Sequence, residues 1–169
     1  MFFVRSNEQS AFCCNCDYLL EVCGSRRRGY IESSGERIVL VIRRLYCQSC
    51  KRIHHELPDL LVPYKRYDRE SIESVLEETG QAQVAADDST ISRWRRWFSE
   101  LEQHIYGGLL AACHRLDKNF AESPDQLSGS LLQRIHHLVG ATPGWLGRIV
   151  RILVTMNLWV QTRSAFLTG

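Results

Sequence analysis

The chain has 169 residues, of which 44% are hydrophobic and 24% are charged, and this composition excludes overall disorder and fits one medium domain or two small ones. Its formal net charge of +2 is too small to indicate a nucleic-acid partner by itself. No stretch has the pattern of a signal peptide or a membrane span, so we expect a cytoplasmic protein whose seven cysteines are thiols or metal ligands, with no membrane partner.

The first predicted elements are the two strands of a β-hairpin. Residues 19–22 open a first strand, which can resume over residues 29–32. Residues 33–36, Ser-Ser-Gly-Glu, supply turn residues. Residues 37–46 are rich in β-branched side chains and form the strongest predicted strand in the chain.

Two Cys-x-x-Cys pairs, at residues 13–16 and 47–50, stand at the ends of this predicted hairpin. The spacing lets two thiolates of one tight turn point at one metal, and two such turns give the closed tetrahedral geometry of structural zinc. The sequence therefore predicts one structural Zn²⁺ ion bound by Cys13, Cys16, Cys47 and Cys50. Four further side chains remain open as replacements for one ligand: Cys14, Cys23, His54 and His55.

Basic residues cluster at three places in the predicted ribbon. Arg26, Arg27 and Arg28 lie within the hairpin, Arg43 and Arg44 lie in its second strand, and a Lys-Arg pair follows the second cysteine pair. Residues 1–56 contain nine Lys/Arg and six Asp/Glu. Folding of the hairpin would join the clusters into one positive surface suited to phosphates. A solvated strand face and a protein-docking ribbon remain alternatives.

The sequence after residue 57 predicts a linker followed by helices only. Prolines mark the linker over residues 58–67. Asp68 begins a helix that Gly80 ends, and a short segment over residues 81–86 with an Asp-Asp turn leads to a stronger helix from about Ser89. Three more helices are predicted over residues 101–116, 125–138 and 142–158, the last with Thr142 as N-cap and Pro143 at its first position.

The helix from Ser89 has one apolar face and one polar face. Ile91, Trp94, Phe98 and Leu101 are spaced as a stripe that faces the core, with Trp97 beside them. Short hydroxyls followed by arginines suit the N-terminal turn of a helix that enters the major groove, which makes this a predicted helix-turn-helix. The candidate DNA contacts on this face are Ser89, Thr90, Ser92, Arg93 and Arg96. An ordinary charged helix face is the alternative.

These elements predict an α+β protein with four regions. A four-cysteine zinc ribbon covers residues 1–57 and the linker covers residues 58–67. The helix-turn-helix covers residues 68–116, and a C-terminal helical region covers residues 117–169.

Several stretches are also shared with a known family. They are the two cysteine pairs, Gly24-Ser-Arg-Arg-Arg28, residues 43–59, residues 61–67, Ser92-Arg-Trp-Arg-Arg-Trp-Phe98 and the tail at residues 163–168. In these stretches the chain resembles bacterial transposase-like proteins, mostly of unknown function, that have an N-terminal zinc ribbon followed by a helix-turn-helix. The resemblance covers most of the chain. It implies sequence-directed DNA binding in transposition or in the control of a mobile element.

Catalysis is not expected. A strand-transferring nuclease of the RNase-H-like type needs three carboxylates on a mixed sheet, and no strand-rich region follows the ribbon. No Ser/His/Asp set, phosphate-binding glycine loop or small-molecule site is visible either. The leading hypothesis is a non-catalytic protein that binds double-stranded DNA as an accessory or targeting factor of a transposase subunit encoded elsewhere. A protein-interaction adaptor that docks on a recombinase or polymerase is the alternative, and an inactive transposase remnant is a third.

Overall fold

The computed structural model of the chain describes residues 2–3, 11–77, 84–117 and 129–159. In chain order its elements are β1 (Phe2–Phe3), β2 (Leu20–Ile31), β3 (Arg37–Cys47), β4 (Ile53–His55), α1 (Arg69–Glu77), α2 (Asp88–Leu116), α3 (Leu131–Val139) and α4 (Trp145–Thr155). The described part is α+β, with a small sheet followed by four helices. None of the helices in these ranges combines the length and the apolar character that a membrane span needs.

The sheet is built around β3. Its antiparallel partner β2 runs in register from Leu20, opposite Cys47, to Ile31, opposite Arg37. On the other edge of β3 lie the parallel β1 and the antiparallel β4. The predicted hairpin is therefore present, but the two predicted pieces of its first strand are one strand, because β3 pairs with both and a bulge between Val22 and Gly24 absorbs the irregular sequence.

The ribbon has a small hydrophobic core. Its buried members are Tyr30, Leu40, Ile42 and Leu61. Leu61 comes from the segment predicted as a linker, and its neighbour Val62 is buried in the helical core. Since four side chains form so small a core, other interactions must contribute much of the ribbon's stability.

A larger core lies among the helices. Trp94, Trp97 and Phe98 of α2 are buried in it, which confirms the predicted apolar stripe. Trp145, Leu146, Ile149 and Leu153 of α4 are fully buried in the same core. The apolar face of α4 is thus part of the interior.

The helices predicted from about Ser89 and over residues 101–116 are one continuous helix of 29 residues. The prediction of two separate helices was wrong, and Gly108, which lies within the second of them, serves close packing. A Cβ added to Gly108 would lie 2.7 Å from Cδ2 of Leu153 in α4. The glycine therefore lets α2 and α4 approach each other closely, and tertiary contact offsets its poor helix propensity.

The predicted start of the last helix was also wrong. Thr142 and Pro143 precede α4, which begins at Trp145 after Gly144 in the left-handed conformation, with φ of 93°. The helix is capped by a distant side chain instead, because the Glu73 carboxylate accepts hydrogen bonds from the amides of Gly144 and Leu146.

Two predicted boundaries lie in part outside the described residues. The helix predicted over residues 125–138 appears as α3, which begins after Ser130 with a capping box; residues 118–128 are not described. Likewise, α1 and α2 are both present, but residues 78–83 between them lie outside the described ranges. The helix-turn-helix therefore stays a prediction.

Candidate metal centre and basic surface

The two Cys-x-x-Cys turns have the same backbone geometry. The amide of Asp17 donates to the carbonyl of Cys13 at 2.9 Å, and the amide of Lys51 donates to the carbonyl of Cys47 at the same distance. In both turns the amide of the first cysteine donates to the carbonyl five residues later, again at 2.9 Å. These paired turns fix the direction of the cysteine side chains, one turn before β2 and one at the end of β3.

The turns bring four sulfur atoms together. Ligand atoms of Cys13, Cys16, Cys47 and Cys50 all lie within 4.8 Å of one another. Sγ of Cys13 lies 3.7 Å from Sγ of Cys50, and Sγ of Cys16 lies 3.5 Å from Sγ of Cys47. A tetrahedron with metal–sulfur bonds of about 2.3 Å has sulfur–sulfur edges of about 3.8 Å. The arrangement is therefore suited to one tetrahedrally bound metal ion.

The thiols of the cluster differ in their electrostatic surroundings. Burial raises the pKa of the Cys13 thiol to about 12, and burial also raises the pKa of Cys50. By contrast, the pKa of the exposed Cys16 thiol is lowered to about 6, first by a backbone hydrogen bond from Tyr18 and also by the Ser49 hydroxyl. Ionisation of these buried thiols therefore requires a compensating positive charge, which a divalent cation bound by the four sulfurs would supply.

His54, one of the four alternative ligands, lies beside the cluster. Its Nε2 lies 3.4 Å from Sγ of Cys13, and the ring is buried. Burial lowers the pKa of His54, and the charge of Arg52 lowers it further, which favours the neutral ring. A neutral imidazole at this distance can donate a hydrogen bond to a Cys13 thiolate.

The other three alternatives lie outside the described cluster. Cys23 occupies the exposed bulge of β2, where its thiol donates to the carbonyl of Arg44 at 3.4 Å. Cys14 is half-buried, and burial raises the pKa of its thiol. His55 is buried and pairs with Arg44 across the β3–β4 ladder.

Each cysteine turn places its next residue in the left-handed region. Asp17 has φ of 54° and Lys51 has φ of 58°. This conformation costs an ordinary L-residue roughly 1–2 kcal/mol, whereas glycine adopts it freely and Asp tolerates it better than most. The backbone of the second turn is therefore strained at an exposed lysine.

We expect Lys51→Gly to stabilise the metal-bound protein by about 0.5–1 kcal/mol, because it relieves the left-handed strain at the cost of some chain entropy. Lys51→Ala is the matched control: it removes the same charged side chain but keeps the Cβ, so it should give no gain. Thermal unfolding of both variants with metal present measures the difference. Equal midpoints for the glycine and alanine variants would contradict the assignment of strain.

The structure places the ribbon arginines on both faces of the sheet. Arg26 lies opposite Ile42 and Arg28 lies opposite Leu40. These pairs share one face, because directly opposed residues project to the same side and neighbours along a strand alternate. Arg27 and Arg43 share the other face, and Arg44 lies on the face of Arg26.

Two of these arginines make internal contacts. Arg43 donates two hydrogen bonds to the carboxylate of Glu56, at 2.7 and 2.6 Å, and this raises the pKa of Arg43. Arg28 is half-buried and donates to the backbone carbonyl of Lys65 at 3.0 Å. Among the five ribbon arginines, Arg26 and Arg27 are exposed and Arg44 is half-buried.

The hydroxyls at the start of α2 are engaged in capping. Asp87 accepts hydrogen bonds from the amide and hydroxyl of Thr90, at 2.8 and 3.0 Å, and from the hydroxyl of Ser89. Together these bonds, that of Ser89 first, lower the pKa of Asp87 to about 2. Thr90 is buried, while Ser92, Arg93 and Arg96 are exposed. Of the candidate DNA contacts on this helix, Thr90 is thus the least accessible.

Lys65 connects the ribbon arginines to α2. Its ammonium lies 3.9 Å from the centroid of the Trp97 ring, and its pKa is lowered to about 8, by burial first and then by the charge of Arg93. On its other side, Arg28 contacts the Lys65 carbonyl, and the pKa of Arg28 is lowered by burial and then by the charge of Arg26. Arg26, Arg28, Lys65 and Arg93 thus each lie within electrostatic or hydrogen-bond reach of the next, and this set of cations is called here the basic surface.

Sequence reasoning did not select Lys65. The signal for it was slight: a Lys-Arg pair that begins two residues after Pro63, in the segment predicted as a linker. Only the packing of that segment between β2 and α2 gives the lysine its position.

Comparison with known proteins adds one finding. Residues 13–94 match a family model described as a domain of unknown function, DUF6431. The matched segment contains both cysteine turns, α1 and the first residues of α2. No curated protein and no solved structure matches the chain. The chain is therefore similar to this domain family in the part that carries the four-cysteine cluster and the basic surface.

Proposed function

We propose that this chain is a non-catalytic DNA-binding protein with one structural Zn²⁺ ion, and that it acts as an accessory or targeting factor of a transposase or mobile element. The observation that supports DNA binding best is the basic surface, in which Lys65 joins β2 to the start of α2. The link to transposition rests on the resemblance described under Sequence analysis.

Zinc is the metal that best fits the four-cysteine cluster. Tetrahedral sites with four thiolates select zinc or iron, and closed four-cysteine sites at paired turns are typical of structural zinc. The small ribbon core supports a structural role, because metal binding can supply folding free energy that four buried side chains do not.

The charge arrangement supports a polyanionic partner. Burial first, and then like charges in the basic surface, lower the pKa values of Arg28 and Lys65, and a phosphate placed among these cations would relieve the repulsion between them. Arg93, a member of this surface, and Arg96 are both exposed within the first three turns of α2. We propose that this end of α2 is the recognition helix of a helix-turn-helix and that the ribbon arginines contact the DNA backbone.

Binding of duplex DNA at low salt tests the proposal. We expect Arg93→Ala plus Arg96→Ala to weaken binding at least tenfold and to lower the slope of log K against log salt by about 1 for each lost phosphate contact, with zinc retained. The matched control for Arg93→Ala alone is Arg115→Ala. This variant removes an exposed arginine near the other end of α2, about 30 Å from Arg93 along the helix at a rise of 1.5 Å per residue. Equal losses for these two single variants would contradict a localised interface.

A protein-interaction adaptor that docks on a recombinase or polymerase is a second candidate. One observation favours it: apolar side chains are exposed at the metal end of the ribbon. They are Phe12, Tyr18, Leu19 and Val22. Absence of duplex binding at low salt, together with co-purification of a recombinase or polymerase that Phe12→Ser plus Leu19→Ser abolishes, would replace DNA binding with this function.

A further inference from the structure

The outer edge of β2 presents unpaired backbone groups. At one end of this edge the amide of Ile31 donates to the carbonyl of Arg66 at 2.8 Å, and the carbonyl of Ile31 accepts from the amide of Asp68 at 3.0 Å. In a strand the N–H and C=O of one residue point to the same edge, and successive residues alternate. The backbone groups of Ser25, Arg27 and Gly29 therefore point to the same outer edge as those of Ile31.

Among the described residues, backbone contacts cover this edge at its two ends. The amide of Leu20 donates to the carbonyl of Ala11 at 2.8 Å at the beginning of β2, and the contacts of Ile31 cover its end. Within the described ranges, no strand pairs with β2 on this side over the intervening residues. The result is an open segment at residues 25–29, long enough for an added strand of about five residues.

Arginine side chains surround the open segment on both faces of the sheet. Arg26 and Arg28 lie on one face and Arg27 on the other. An antiparallel copy of β2 placed here would set these arginines against one another, and like charges directly opposite are destabilising. An extended segment rich in Asp or Glu would place opposite charges beside them on both faces.

We propose that the outer edge of β2 at residues 25–29 binds an extended acidic segment of a partner protein as an additional β-strand. Backbone hydrogen bonds to Ser25, Arg27 and Gly29 supply the pairing, and the exposed Arg26 and Arg27, one on each face, select an acidic sequence. This interaction does not depend on the DNA-binding proposal, because it uses backbone groups that a nucleic acid does not pair with in a ladder.

A designed peptide tests this inference on the full, metal-loaded chain. The probe is a seven-residue peptide in which pairs of adjacent glutamates are separated by threonine or valine, so that carboxylates project from both faces of the added strand. Ser25→Pro removes the amide N–H that points to the outer edge, and proline is tolerated at an edge position. Ser25→Val is the matched control, because it removes the same hydroxyl but keeps the amide N–H. We expect the wild-type chain and Ser25→Val to bind the peptide equally, and Ser25→Pro to bind it at least tenfold more weakly.

Amide hydrogen exchange gives a second readout that needs no variant. On binding, the outward amides of residues 25, 27 and 29 should exchange more slowly, while those of Arg26 and Arg28, already paired with β3, should change little. If Ser25→Pro bound the peptide as tightly as the wild-type chain and no such alternating protection appeared, the proposal would be overturned. The peptide would then bind by charge attraction only. Alternating protection without peptide, in a chain that sediments as a dimer, would overturn it in favour of a second copy.

Discussion

Replacing Cys47 by serine is expected to remove the bound metal and to unfold the ribbon. Cys47 is fully buried at the end of β3, and its sulfur lies 3.5 Å from that of Cys16. Structural zinc contributes on the order of 10 kcal/mol or more to the folding of small domains, far more than a four-residue core can replace. Metal analysis of the reduced, folded protein should give one zinc per wild-type chain and none for the variant.

Cys23→Ser is the matched control for this experiment. Cys23 lies in the same ribbon but is exposed in the bulge of β2, outside the four-cysteine cluster. The Cys23→Ser chain should keep one zinc ion and should give the same amide NMR spectrum as the wild-type chain. Substoichiometric zinc in a folded, reduced wild-type sample, or full retention of metal by Cys47→Ser, would show that the four sulfurs are not a structural zinc site.

The second large effect is expected at Glu73, a carboxylate that is only 4% exposed. Its oxygens accept hydrogen bonds from the amides of Leu146 and Gly144 at 2.7 and 2.9 Å, so it caps α4 from within α1. Glu73→Ala would leave two amides without partners and remove a negative charge from a helix N-terminus. We expect the free energy of unfolding to fall by about 3 kcal/mol.

Glu70→Ala provides the comparison, since Glu70 is an exposed glutamate on the same helix and should change the free energy of unfolding by less than about 0.5 kcal/mol. Denaturant unfolding with metal present, followed by tryptophan fluorescence, measures both variants. The loss of unfolding free energy for Glu73→Gln should lie between those of Glu73→Ala and Glu70→Ala, because the one amide oxygen of glutamine can still accept a hydrogen bond. A loss below about 1 kcal/mol for Glu73→Ala would mean that α4 does not depend on this cap.

Features determined by neighbouring residues could be predicted from the sequence. The cysteine cluster follows from two short turns and the hairpin between them, and each turn is specified by its own Cys-x-x-Cys spacing. The aromatic stripe of α2 follows from the helical period alone. In these cases the information lies within a few residues of the feature or within one hairpin.

Features that depend on contacts between distant segments could not be predicted in this way. Thr142 and Pro143 have the local pattern of a helix start, yet Glu73, some seventy positions earlier, sets the start of α4. The accessibility of the arginines likewise depends on partners, since Glu56 binds Arg43 and the Lys65 carbonyl binds Arg28. A count of charged residues treats these arginines as equally accessible, but their contacts in the folded protein make their accessibility different.

The sequence by itself therefore determined the cysteine cluster, the hairpin and the buried stripe, because short-range spacing and periodicity dictate each of them. Only the tertiary structure decided which cations form one surface, which helix end receives the Glu73 carboxylate, and which edge of β2 stays open. The physical reason is that hydrogen bonds and desolvation act between atoms that meet on folding, whatever their distance along the chain.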